Sequence, residues 1–276
     1  MATQDAVSPM AEFARRHDPD RFLCALFAPA ALRERLFALI AYNHELARAR
    51  EAARTPLIAL MRLQWWRDAV EHAAAGRPAP RHEVAGPLHA AIAAGALDAA
   101  GLIAMADARE IEAEEEGIPT REAFAAYLRG TAGGFAVAAG RLLSAPPALL
   151  PALQRAGALY GLAGVLRSVP ALAGQGRCLL PADALAEARL TPQAVLAEPR
   201  AEAVGRVVRG LAAAALPDLP GLRAGLRTLP RPALAAALPL VLARRDLGRL
   251  AAGRAVGERA LGDRAAVTWA GLRGRV

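Results

Sequence analysis

Three times this chain writes a capping residue followed by proline and then an apolar run: Asp18-Pro19, Thr55-Pro56 and Thr191-Pro192. A side chain that accepts from first-turn amides, next to a residue with φ preset and no N–H to lose, opens an α-helix. Thr120 with Glu122 opens another, with an acid in its first turn. Gly76-Arg77-Pro78 reads as a helix stop and a short loop. Between these marks apolar residues recur at three and four: Leu36, Leu39, Ile40 and Leu46 in one stretch, Leu63, Trp66 and Val70 in the next. Alanine and leucine dominate and aromatics are 4%, which leaves little material for strands. The expectation is an all-α chain of roughly eight to ten helices, one domain over residues 1–276. A Pro/Ala-rich loop runs over 144–151, and the Pro/Gly-rich stretch 217–232 is the best candidate for an internal joint.

All 34 basic residues are arginine, so Schiff-base and P-loop lysine chemistry are excluded. Cys24 and Cys178 form neither a CxxC pair nor a zinc site; leucine neighbours mark each as a small buried hydrophobe in a reducing compartment. Residues 1–20 lack the apolar core of a secretory signal, and no stretch approaches the ~18 uninterrupted apolar residues of a membrane span. The expected location is cytoplasmic, with a peripheral position at the inner membrane as the open alternative. His17, His44, His72, His82 and His89 show no HxxxH or HExxH spacing, and no GxSxG occurs. His44 reads as a buried polar residue bonded to a neighbouring helix. The glycines of 130–134 lie inside a helical pattern, which points to close helix packing rather than a phosphate cradle. Trp66 shares a face with Leu63 and Val70 and belongs to the core; Trp65, about 100° away, lies on the flank with Met61, at a cavity or an interface.

Charge is unevenly placed. Residues 1–200 carry 21 Arg and 21 Asp/Glu, whereas 201–276 carry 13 Arg and 5 Asp/Glu. These arginines alternate with acids and lack an aromatic stacking platform, which argues for a solvated face and against nucleic-acid binding. The functional alternative is a basic face for anionic lipid or an acidic partner.

Three segments carry a family resemblance. They are RFLCALFAPAALRERLFALIAYNHELARAREAARTPLIALMRLQWWRDAVE from Arg21, LIAMADAREIEAEEEGIPTREAFAAYLRGTAGG from Leu102, and GALYGLAGVLRSVPALAGQGRCLLP from Gly157. In this order they resemble the squalene/phytoene synthase family over residues 12–190; the basic part 201–276 matches only in being helical. The anchors are Trp66-Arg67, Tyr127 with Ala132-Gly133, and Gly176-Arg177 with Leu180-Pro181. The resemblance implies an isoprenoid-synthase-like helical bundle around a central cavity, in which two prenyl diphosphates are joined head to head. Such chemistry needs two aspartate-rich motifs on facing helices, because ionising a diphosphate requires Mg²⁺ to neutralise the leaving group, and Mg²⁺ requires carboxylate oxygens.

Laid on that pattern, both motifs fail. The first motif's paired aspartates fall on Ala47 and Arg48, with Glu51 at its last acidic position. The second motif's aspartates fall on Ser168 and Leu172, with Ala171 at the intervening glutamate. The polar residues one and two turns earlier become Gly161 and Gly164, and Arg167 survives beside a missing aspartate. Arg177 belongs to the last anchor, and Glu112 falls where the family has a cavity-facing acid. Glu112 lies in the run 110–116, which reads more readily as a solvated helix end than as a replacement cation site. Glu45 and Glu51, about 240° apart, do not share a helix face.

Within the family this pattern is similar to an aspartate-lacking branch, that of the mitochondrial complex I assembly factor and its bacterial relatives. FLCALFAP, AYNHELAR, RLQWWRDAVE and LRSVPALAGQGRCLLP carry that similarity. It implies a non-catalytic assembly or chaperone-like factor for a respiratory membrane complex, with a protein partner, a peripheral membrane contact and no cofactor. Two alternatives stand beside it. One is a Mg²⁺-dependent prenyl-diphosphate transferase of isoprenoid biosynthesis. The other is a module that holds an isoprenoid or lipid in a cavity made drier by Leu172 and small residues.

Overall fold

The computed structural model describes residues 8–276 apart from Arg54 and Glu115, and those residues are helical or irregular with no strand. In chain order the helices are α1 (Pro9–His17), α2 (Pro19–Ala25), α3 (Ala30–Glu51), α4 (Pro56–Ala74), α5 (Ala85–Ala93) and α6 (Ala99–Asp107). There follow α7 (Arg121–Leu128), α8 (Gly134–Leu142), α9 (Leu150–Arg167), α10 (Val169–Gly174), α11 (Ala182–Glu187) and α12 (Pro192–Ala197). The C-terminal part holds α13 (Glu202–Ala215), α14 (Leu219–Gly225), α15 (Leu234–Ala237), α16 (Pro239–Ala251) and α17 (Leu261–Arg273).

The caps form as the sequence predicts. Asp18, Thr55, Thr120 and Thr191 each accept a first-turn amide, from Arg21, Ile58, Ala123 and Ala194. The helices outnumber the expectation because the chain after α9 is cut by proline and tight turns into short pieces of 4–7 residues, such as α10, α14 and α15. The 217–232 stretch is not a joint. Its Leu219, Leu222, Leu226 and Leu229 are buried in the same contiguous core that runs from Met10 to Ala270.

The central helix is α9, packed against α8, α13, α16 and a π-helical turn at Arg129–Gly133. Close approach requires glycine at Gly157, where a Cβ would sit 2.3 Å from the Ala132 carbonyl oxygen. The glycines of 130–134 serve packing too, as their helical context implies: a Cβ would stand 2.4 Å from the Ala108 Cβ at Gly130 and 2.8 Å from the Gln154 carbonyl oxygen at Gly133. Pro147–Arg167, with mean hydropathy 1.2, is nonetheless long and apolar enough by composition to cross a membrane, although Gln154 and Arg155 interrupt it. Its Leu153, Ala156, Tyr160, Ala163 and Leu166 are buried in the bundle core.

Candidate functional site

A cavity of about 640 Å³ opens between α2, α3, α9, the π turn and the segment leading into α17. Of the ten positions singled out by the sequence, Ala47, Gly161, Gly164, Arg167 and Ser168 line it. The other five do not. Arg48 is exposed on α3, its guanidinium 3.9 Å from Glu45. Glu51 is exposed and accepts a long hydrogen bond from the Gln175 amide at 3.5 Å. Leu172 packs against the core.

Glu112 and Arg177 face each other behind the cavity wall. The buried Glu112 carboxylate accepts from Arg109 at 2.7 Å, from the Tyr127 hydroxyl at 2.8 Å, and from Arg177. Glu112 is therefore not part of a solvated helix end. Its neighbours are cations, so it is an anchor for arginine and not a cation site. Arg109 and Tyr127 carry this anchor to the cavity surface.

The strongest electrostatic feature was invisible in the family pattern. Arg259, in the segment before α17, bonds Asp20 of α2 through Nε and Nη2 at 2.8 Å and Asp246 of α16 through Nη1 at 2.7 Å. Arg167 stands 3.9 Å from both carboxylates, and the Tyr160 hydroxyl donates to Asp20 at 3.2 Å. Beside this network Arg21 bonds Asp18 at 2.8 Å and stacks between Phe135 and Tyr160. The lining thus holds Arg21, Arg109, Arg167, Arg259 and Arg264 against Asp18, Asp20 and Glu258. Only a sequence separation of 239 residues joins Asp20 to Arg259, so no local spacing announces the pair.

Two further expectations change here. His44 lines the cavity, but its Nε2 has no hydrogen-bond partner. Burial, and then the neighbouring His17 and Arg48, push its pKa down to about 4, so the ring is neutral at pH 7. The cavity is not a dry hydrocarbon slot either. Small residues line part of it, but its wall also carries Asn43, His44 and five guanidiniums. Asn43 Oδ1 and the Nε atoms of Arg21 and Arg109 are buried without partners.

These donors do not fit a magnesium cluster. Among the described residues no group of three or more His, Cys, Asp or Glu side chains is placed to hold a metal ion. Asp18 and Asp20 turn their oxygens to Arg21 and Arg259, and a guanidinium already supplies the positive charge a cation would bring.

Outside the cavity, α4 presents Leu57, Ile58, Leu60, Met61 and Trp65 to solvent, while Trp66 is buried as its face predicts. Cys24 is buried and Cys178 half-buried.

A family model described as squalene/phytoene synthase matches residues 14–270. The mouse protein named NADH dehydrogenase (ubiquinone) complex I, assembly factor 6 is 27% identical over 231 residues, covering 83% of this chain and 69% of that protein. Its human counterpart is 28% identical over 173 residues, 62% of this chain and 52% of that one. A solved dehydrosqualene synthase superposes with a TM-score of 0.79 at 14% identity, covering 96% of this chain and 94% of that one. The squalene synthase HpnC from Alicyclobacillus acidocaldarius gives 0.70 at 17% identity, over 96% and 92%. The two solved structures share the all-helical fold; they do not by themselves transfer an activity.

Proposed function

The chain belongs to the squalene/phytoene synthase family, and from that premise we propose that this member is non-catalytic and serves as an assembly or chaperone-like factor for a respiratory membrane complex of the complex I type. One observation carries the reading. The family fold is present with a cavity between its helices, the resemblance puts Ala47, Arg48, Ser168 and Leu172 where the family has its metal-binding aspartates, and two of the three acids that line the cavity, Asp18 and Asp20, are bound to arginines. Among the described residues, Mg²⁺ finds no cluster of carboxylates with which to neutralise a diphosphate leaving group. The relatives named as complex I assembly factors support the assembly role, and the exposed apolar row on α4 is a surface of the kind a protein partner covers.

The test is genetic and biochemical. Deleting the gene in its own host lowers the amount of fully assembled NADH:quinone oxidoreductase on native gels, and a plasmid copy restores it. Normal assembly in the deletion strain overturns the reading.

A second reading, retention of an isoprenoid ligand without turnover, is favoured by the unpartnered Arg21 and Arg109 Nε atoms at the cavity. Calorimetric titration with farnesyl diphosphate in EDTA tests it, and the absence of binding heat dismisses it.

A further inference from the structure

A second pocket of about 670 Å³ lies on the far side of Arg167, which lines both cavities. It is built where the end of α9 and α10 meet α13 and the turn after α16. Its apolar wall is Leu166, Val169, Val204, Val208, Leu250 and Val256. Four of these, Leu166, Val169, Val204 and Leu250, are buried and belong to the main core, so the wall is a fixed surface of the fold. Three further arginines, Arg200, Arg209 and Arg254, complete the lining, and no carboxylate contributes to it.

These three guanidiniums form no ion pair with any carboxylate of the described residues. That contrasts with the first cavity, where Arg21, Arg109, Arg167 and Arg259 all face acids. The half-buried Arg209 side chain runs beside two glycines. A Cβ on Gly253 would stand 3.3 Å from its Cδ, and one on Gly205 would stand 3.4 Å from its Nη1. Gly253 has φ +70°, a left-handed turn that glycine adopts without strain. The chain thus leaves room for an arginine to lie along an apolar wall with its charge unspent.

We propose that this pocket binds an anionic lipid, its acyl chain against the α9/α10/α13/α16 wall and its phosphate on Arg200, Arg209 and Arg254. Charge complementarity selects the head: three free cations and no acid suit a phosphate and disfavour an ammonium group. The size and the apolar wall select the chain, since about 670 Å³ lies within the range of pockets that enclose small amphiphilic ligands. The site is separate from the cavity of the family reaction and does not depend on the assembly reading. It also gives the basic 201–276 region a defined lipid contact in place of a general attraction.

The experiment is calorimetric titration of the intact chain, below micellar concentrations, with three probes: lysophosphatidylglycerol, lysophosphatidylcholine with the same acyl chain, and glycerol phosphate without a chain. The first binds one to one and at least tenfold more tightly than either of the others. The triple variant Arg200→Gln, Arg209→Gln, Arg254→Gln loses affinity for it by about tenfold per arginine, in line with hydrogen bonds to charged groups. Because these side chains hold no ion pair, circular dichroism of the variant stays that of the parent. Ala171→Trp, at an exposed lining position of α10, fills the pocket and abolishes binding of both lipids. Equal affinity for the two lysolipids overturns the phosphate assignment. Equal affinity for glycerol phosphate shows a free-anion site and overturns the lipid one. Unchanged lipid affinity in folded Ala171→Trp places the lipid elsewhere and overturns the pocket.

Discussion

Arg259→Met removes the cation that holds Asp20 and Asp246 together, and its cost follows from the geometry. The Arg259 side chain is 9% exposed, that of Asp246 1% and that of Asp20 11%. Taking away one member of a buried pair leaves an uncompensated charge and costs about 3–5 kcal/mol. Two carboxylates are orphaned here, but each keeps a partner: Tyr160 at 3.2 Å for Asp20, Arg249 at 3.5 Å for Asp246, and Arg167 at 3.9 Å for both. The total therefore stays in that range instead of doubling. At roughly 2–3 °C per kcal/mol for a chain of this size, Tm falls by about 6–15 °C in differential scanning calorimetry. Adding Asp20→Asn and Asp246→Asn removes both stranded charges, and at least half of the loss returns. A fall below about 2 °C, or no recovery in the triple variant, would show that the network is a solvated surface cluster and not an internal clamp between α2, α16 and the segment before α17.

The remaining predictions concern separate parts of the molecule. Glu112→Gln strands Arg109 and Arg177 against a neutral amide; urea unfolding loses about 3 kcal/mol, whereas binding of Mg²⁺ by calorimetry is as weak as in the parent. Gly157→Ala drives a methyl into the Ala132 carbonyl and costs more than about 3 kcal/mol, while Gly164→Ala, with nothing within 4 Å, is neutral or stabilises by up to about 1 kcal/mol through helix propensity. His44 titrates by NMR near pH 4 against about 6.5 in the unfolded chain. A lowered folded pKa means the unfolded chain takes the proton first, so stability is full above pH 6.5 and declines as pH falls toward 4. His44→Phe flattens that decline, and a midpoint near 6.5 contradicts the buried, unpartnered placement.

Helix starts were legible because capping is local: Asp18, Thr55, Thr120 and Thr191 each act on an amide three residues away. The core placement of Trp66 was legible from its face. The loss of the aspartate motifs was legible only through the family resemblance, which lays Ala47, Arg48, Ser168 and Leu172 on the aspartate positions. The arginine network at the cavity was not. Asp20, Asp246 and Arg259 lie in three distant segments, and only tertiary packing brings them together. The role of Glu112 is hidden for the same reason. A run of glutamates looks solvated until Arg177, 65 residues on, is folded against it. The proline-rich stretch 217–232 looked like a joint because turn residues mark breaks in helix, not breaks in the core, and its leucines recur inward at three and four.

On the proposed reading, the cavity has lost its diphosphate-ionising chemistry to arginine. The most direct test is pyrophosphate release from farnesyl and geranylgeranyl diphosphate by purified protein of verified helicity, with Mg²⁺ and with EDTA. The account predicts no release above the protein-free blank in either condition. Magnesium-dependent release contradicts it, and would place a cation on Glu258 or on the carboxylates that here face Arg21, Arg177 and Arg259.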